Sequence, residues 1–201
     1  MKLRSRNFTL NEAPRQLVNN TILPTVNFSP QVTSALAYPF PNLTKITEKP
    51  TPVTLKTFTK QVFINARAIQ CHQAGGRYGH LGIVMPDAAY QALANVNAAW
   101  DSTDIPDLPT FNNTDDAVTI VNGMKTYRRD MSRVTTERQV KSNLKAQMLA
   151  AVESEFVSSL KDKTLGFANV SASTIYAHLM NTYGVVKPSN IEKNRARLSE
   201  P

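Results

Sequence analysis

Six apolar residues at four-residue steps constrain this chain most: Val140, Leu144, Met148, Val152, Phe156 and Leu160. A step of four runs just past one helical turn, so successive members stack in a slowly winding apolar stripe that needs a partner to cover it. A second stripe precedes them in Val121, Met124, Tyr127, Met131 and Val134. Turning the chain at about 100° per residue puts the two stripes out of phase. In an unbroken helix, Arg138 and Lys145 would fall on the side that Tyr127 and Met131 bury. Two solutions are open. Either the helix breaks near residues 132–136, where serine and β-branched residues lower propensity, or it passes between two partners.

The same period recurs on either side of this segment. Leu55, Phe58, Val62, Ala66 and Ile69 share one face, with Thr54 the expected N-cap and Gly75–Gly76 the stop. The short "RYGHLGIVM" predicts a turn with one brief extended piece, and "PDAAYQALANV" restarts a helix on Pro86 and Asp87. Residues 96–116 predict a long loop with two prolines, five aspartates and no Lys or Arg, with Trp100 packing back on the core. Ser171 should cap a helix that ends at Gly184 and buries Ile175, Tyr176, Leu179, Met180 and Tyr183. A last helix opens at Pro188 and Ser189, with Ile191, Ala196 and Leu198 its thin apolar content, so it needs a neighbour. The fold class is all-α.

Residues 1–52 hold seven of the twelve prolines and no glycine. Each X-Pro pair steers its first residue away from the helical region, which predicts an extended arm, disordered or draped over the domain. Residues 53–201 form the helical domain. The start of the chain has no apolar core of the kind a secretory signal needs, and no apolar run approaches the roughly 18 residues that span a bilayer. A single cysteine, Cys71, fits a reducing compartment. The expectation is a soluble, cytoplasmic protein that does not enter a membrane.

Residue types that carry catalysis are present but badly placed. Cys71 adjoins His72, yet neighbours on a helix point about 100° apart, so thiol and imidazole do not meet. His80 and His178 stand alone and read as packing or hydrogen-bonding residues. Neither has the paired spacing of a structural zinc site. "AGGRYGHLG" lacks the order of a phosphate loop and reads as a turn. The sequence therefore predicts no enzyme, no metal, no cofactor and no small-molecule substrate.

The basic residues say more. The 23 Lys and Arg outnumber 15 Asp and Glu, for a net charge of +8, which favours a polyanionic partner. Lys125, Arg128, Arg129 and Arg133 lie opposite the first apolar stripe, and Arg138, Lys141 and Lys145 continue the run against only Asp130 and Glu137. Such a face can neutralise phosphates without reading bases, and equally it can be a solvated helix surface. No aromatic side chain is interleaved with it, so base stacking there is not expected.

Four segments, in order, carry a resemblance: "PFPNLTKITEKPTPVTLK", "NARAIQCHQAGGRYGHLGIVMPDAAYQAL", "VKSNLKAQMLAAVESEFVSSLKDKTLGFANVSASTIYAHLMNTYG" and "NIEKNRARLSEP". Together they span residues 38–201 and resemble the Gag protein of copia-type LTR retrotransposons. The resemblance implies an α-helical, capsid-like domain that self-associates into a particle around element RNA. Members of that family continue into a second helical lobe and a zinc knuckle of C-x2-C-x4-H-x4-C type, and neither occurs in these 201 residues. The resemblance therefore implies a Gag stopped short of its second lobe. The alternative is a host-retained or degenerate Gag fragment that regulates by binding nucleic acid or by interfering with assembly.

Overall fold

A computed structural model describes residues 36–96, 100 and 102–185. The expected first 35 residues of the arm, with Lys2, Arg4 and Arg6, and the last helix from Pro188 lie outside the described residues. Four α-helices form the described chain: α1 Pro52–Ala68, α2 Asp87–Ala94, α3 Ala117–Ala151 and α4 Ala172–Tyr183. Three 3-10 segments join them, at Gln73–Gly76, Leu81–Ile83 and Ser154–Leu160. Among the described residues there is no strand, only two isolated bridges, Ile46 with Val152 and Asp162 with Gly166. The all-α expectation holds.

The core forms where α1, α3 and α4 touch pairwise. Helix α1 contributes Leu55, Phe58, Val62 and Ala66; α3 contributes Val140, Leu144 and Met148; α4 contributes Ile175 and Leu179. These are the faces that the apolar spacing selects in each helix. Removing them from water, at roughly 25 cal/mol per Å² of apolar surface, is the main force assembling the three helices. Tyr90 of α2 and Val84 before it close one end.

Helix α3 is continuous through residues 132–136, so the expected break does not occur. Thr135 instead returns its hydroxyl to the Met131 carbonyl at 2.9 Å, which satisfies it inside the helix. The phase shift is resolved by position. No side chain of α3 before Val134 is buried, and the first stripe, read as a buried face, is exposed at Val121 and half-buried at Met124, Tyr127 and Met131. Among the described residues, the loop lies along this half, with Pro106 and Asp107 lining a cavity beside Thr126 and Asp130 and Phe111 seated over Gly123.

Local chemistry sets the helix ends. Helix α1 starts one turn earlier than expected. Thr51 is its N-cap, Thr54 completes a reciprocal capping box, and Pro52 occupies the first turn. It stops at Ala68 rather than at Gly75–Gly76, because the chain turns back and His80 N–H donates to the Ala66 carbonyl at 2.8 Å. Gly79 makes that turn possible: its φ is +52°, and a Cβ there would sit 2.5 Å from the Arg67 carbonyl oxygen. The expected extended piece in "RYGHLGIVM" is the 3-10 turn Leu81–Ile83. Asp116 caps α3 and Ser171 caps α4, each accepting from the amide three residues on.

The four-residue stripe outruns its helix. After Ala151 the chain goes extended at Val152, where Ile46 N–H donates to the Ala151 carbonyl at 2.7 Å. Residues 36–51, counted with the arm in the sequence reading, are thus a strap across the domain. Leu43 and Ile46 are buried, and Leu36, Tyr38 and Phe40 pack against the core. Asn65 holds the strap as a peptide would. Its Oδ1 accepts from Phe40 N–H at 2.9 Å and its Nδ2 donates to the Phe40 carbonyl at 2.6 Å. Gln61 holds Thr44 too: its Oε1 accepts from Thr44 N–H and its Nε2 donates to Thr44 Oγ1, each at 2.8 Å.

Candidate nucleic-acid interface

An unbroken α3 separates the seven basic residues that the sequence places in one run. At about 100° per residue, Lys125, Arg128, Arg129 and Arg133 fall within an arc of roughly 140°. Arg138, Lys141 and Lys145 fall within roughly 60°, centred on the opposite side of the helix. A single straight polyanion cannot cover both sets at once. The first set stands on the half of α3 that buries nothing, and the second lies against the body of the domain.

In the first set, Asp130 answers two cations. Its Oδ1 accepts from Arg129 Nε and Arg133 Nη1, each at 3.1 Å. The hydrogen bond from Arg129 leads in holding the Asp130 carboxyl below the ordinary carboxylate range. Pairs this exposed contribute little to stability. Lys125 is exposed beside them, and Arg128 is exposed one turn on.

The second set borders a groove of about 680 Å³ between α3, the start of α4 and Trp100. Arg138, Lys141 and Lys145 form one wall, and Leu149 and Val170 are among its apolar lining. Lys145 Nζ donates to the Ala168 carbonyl at 2.9 Å, and Lys141 Nζ lies 2.7 Å from Glu137 Oε1 and 2.6 Å from Ser102 Oγ. Arg138 is exposed at the rim. The groove can therefore offer a phosphate one uncommitted guanidinium and two ammonium groups already part-satisfied.

Trp100 belongs to this groove, and the sequence reading that found no aromatic residue among the basic ones missed it. The indole packs back on the core as expected: it rests on Gly82, where a Cβ would come within 2.5 Å of Trp100 Cε3. Tyr90 meets it edge-on at 5.6 Å and His80 lies tilted at 5.7 Å. Its remaining side borders the groove beside Lys141. Trp100 and Arg138 are 38 residues apart, so no local spacing could bring them together.

Glu137 ties this region down. It is a buried carboxylate that accepts from Lys141, from Thr103 N–H at 3.0 Å and from Thr103 Oγ1 at 2.5 Å. Burial pushes its carboxyl up, but the hydrogen bonds from Lys141 and Thr103 outweigh this and hold it below the ordinary Glu range. A lowered folded-state pKa stabilises the fold above the unfolded value of about 4.3 and loses that effect as pH falls through the folded value. Thermal melts of the wild type and Glu137→Gln should accordingly differ at pH 7 and draw together below about pH 4. A constant gap at every pH would remove the carboxylate from this role.

The remaining candidates sit in packing roles. Burial pushes the Cys71 thiol up, away from the reactive thiolate, and its Sγ accepts from Gln73 N–H at 3.3 Å. His80 is buried, pushed down by that burial, with Nδ1 3.2 Å from the Ile69 carbonyl. His178 Nε2 lies 3.0 Å from the Phe156 carbonyl. Among the described residues, no three His, Cys, Asp or Glu side chains gather as a metal site, and no helix is long and apolar enough to cross a membrane. No known protein family, no curated protein and no solved structure matches this chain.

Proposed function

We propose that this chain is a Gag-type structural protein of a copia-type LTR retrotransposon, which self-associates through its helical domain around element RNA in the cytoplasm. Its role is architectural rather than catalytic. The observation that carries the reading is the first half of α3. Seventeen residues of helix before Val134 bury no side chain, and Val118 and Val121 are 64% and 49% exposed there. A helix end that leaves apolar residues in water gains by meeting another molecule. The ordered resemblance over residues 38–201 says what kind of assembly this would be. Particles of that kind are held by many weak, symmetry-related contacts, so each interface can be small.

RNA enters through the net charge of +8 and through the groove, where Arg138, Lys141 and Lys145 meet Trp100. Phosphates would take the cations, and Trp100 offers a face for a base. The reading is tested by light scattering on a sizing column across protein concentration, with and without RNA. Masses well above the 22.3 kDa monomer that grow with RNA are expected. A monomer at every concentration, with RNA or without, would overturn the self-association. A monomer that binds RNA would favour the regulatory fragment instead. In the same preparation Arg138→Ala should weaken RNA binding evenly across sequences. It should also lower the slope of log affinity against log salt by about 0.7. An unchanged slope would take the groove out of RNA binding.

A further inference from the structure

We propose that the acidic loop before α3 docks on the first half of α3 in a second copy of this chain, making a head-to-tail contact. The inference rests on the self-association reading and assigns its surfaces. It begins from a segregation of charge. Residues 78–124 contain six aspartates and no Lys or Arg, whereas residues 125–145 contain seven Lys and Arg against Asp130 and Glu137. The loop and the first half of α3 also leave apolar side chains in water. In the loop, Ile105 and Leu108 are 58% and 67% exposed, alternating with exposed Asp104 and Asp107. On the helix, Val118 and Val121 are followed by Lys125 and Arg129 on one arc of roughly 80°.

The two strips match in kind and are opposite in sign, yet they do not face each other within one molecule. The loop meets its own α3 through Thr103 on Glu137 and Phe111 over Gly123. On the helical wheel Glu137 and Gly123 lie more than about 100° from the centre of the arc that carries Val118, Val121, Lys125 and Arg129. The loop lies on that side, where Asp107 lines a cavity with Thr126 and Asp130, and its Ile105 and Leu108 stay exposed to another molecule. RNA does not suit the loop, because four carboxylates within thirteen residues (Asp104, Asp107, Asp115 and Asp116) repel phosphates. Nor does it explain the valines, which gain nothing from a phosphate backbone. A second copy supplies both halves of the match. Because the two patches differ, the contact is heterologous and repeats from copy to copy, closing into a ring or continuing as a lattice.

Charge reversal tests this. One variant carries Asp104→Lys and Asp107→Lys, the other Lys125→Glu and Arg129→Glu; the sites are exposed, and unchanged melting would show that both variants fold. Each variant alone should run at the monomer mass where the wild type associates, because like charges then oppose. Mixing the two should restore assembly, since every loop–helix pairing between unlike variants is again opposite in sign. Variants that each associate as the wild type does would overturn the contact while leaving self-association standing. A mixture that stays monomeric would overturn the charge pairing. If the helix variant loses RNA but still associates, that strip is an RNA face and the proposal fails. A wild type that never associates would remove both the contact and the reading beneath it.

Discussion

Leu144→Ala should lower folding stability by about 2–5 kcal/mol, the range for truncating a fully buried leucine. Leu144 has no exposed surface and lies in the cluster shared by Phe58 and Val62 of α1 and by Ile175 and Leu179 of α4. Deleting its isobutyl group removes transfer free energy and leaves a cavity that three packed helices close only in part. A domain of this size has about 5–15 kcal/mol in total, so the loss is a large share. Each kcal/mol moves the melting point of a chain this long by roughly 2–4 °C. Val121→Ala on the same helix provides the contrast. It deletes apolar groups at a half-exposed position and should stay within about 0.5 kcal/mol. Urea melts of the two variants therefore test whether α3 is divided into a core half and a free half. Equal losses would mean that something covers Val121.

That division shows what a periodic sequence reveals and what it withholds. Val140, Leu144 and Met148 are legible because each falls on a face that another apolar helix covers. Met124, Tyr127 and Met131 also recur at helical spacing, but periodicity specifies a face and not a neighbour. Helix ends were misread for related reasons. "TPVT" offers two threonines three apart, either of which can cap; Pro52, suited to the first turn and unsuited to the interior, decides for Thr51. The stops at Ala68 and Ala151 are imposed from a distance, by His80 and by Ile46. The seven basic residues were found individually, but their split depends on α3 being unbroken. Trp100 joins the groove only through tertiary packing.

Asn65 carries the second large effect. Asn65→Leu should cost about 2–5 kcal/mol, although leucine is apolar, similar in size and a better helix former. Asn65 is fully buried on α1, and its amide joins three groups: Phe40 N–H, the Phe40 carbonyl and Gln147 Oε1 at 3.0 Å. Leucine can fill the space but bonds none of them, and each buried group left unmade costs roughly 1–3 kcal/mol. The strap can lessen that cost by peeling away at Phe40 and letting water in. Ile46 N–H would remain on the Ala151 carbonyl, so the release should be confined to the N-terminal side of the strap. Hydrogen exchange separates the two losses. The Phe40 amide should exchange much faster in the variant, while the Ile46 amide slows or quickens only with global stability. Asn65→Asp makes a sharper second case. The carboxylate keeps an acceptor for Phe40 N–H but turns its other oxygen on a carbonyl and an amide oxygen, so it should be at least as damaging as leucine at pH 7. A leucine variant as stable as the wild type, with Phe40 still protected, would show that apolar packing alone holds the strap.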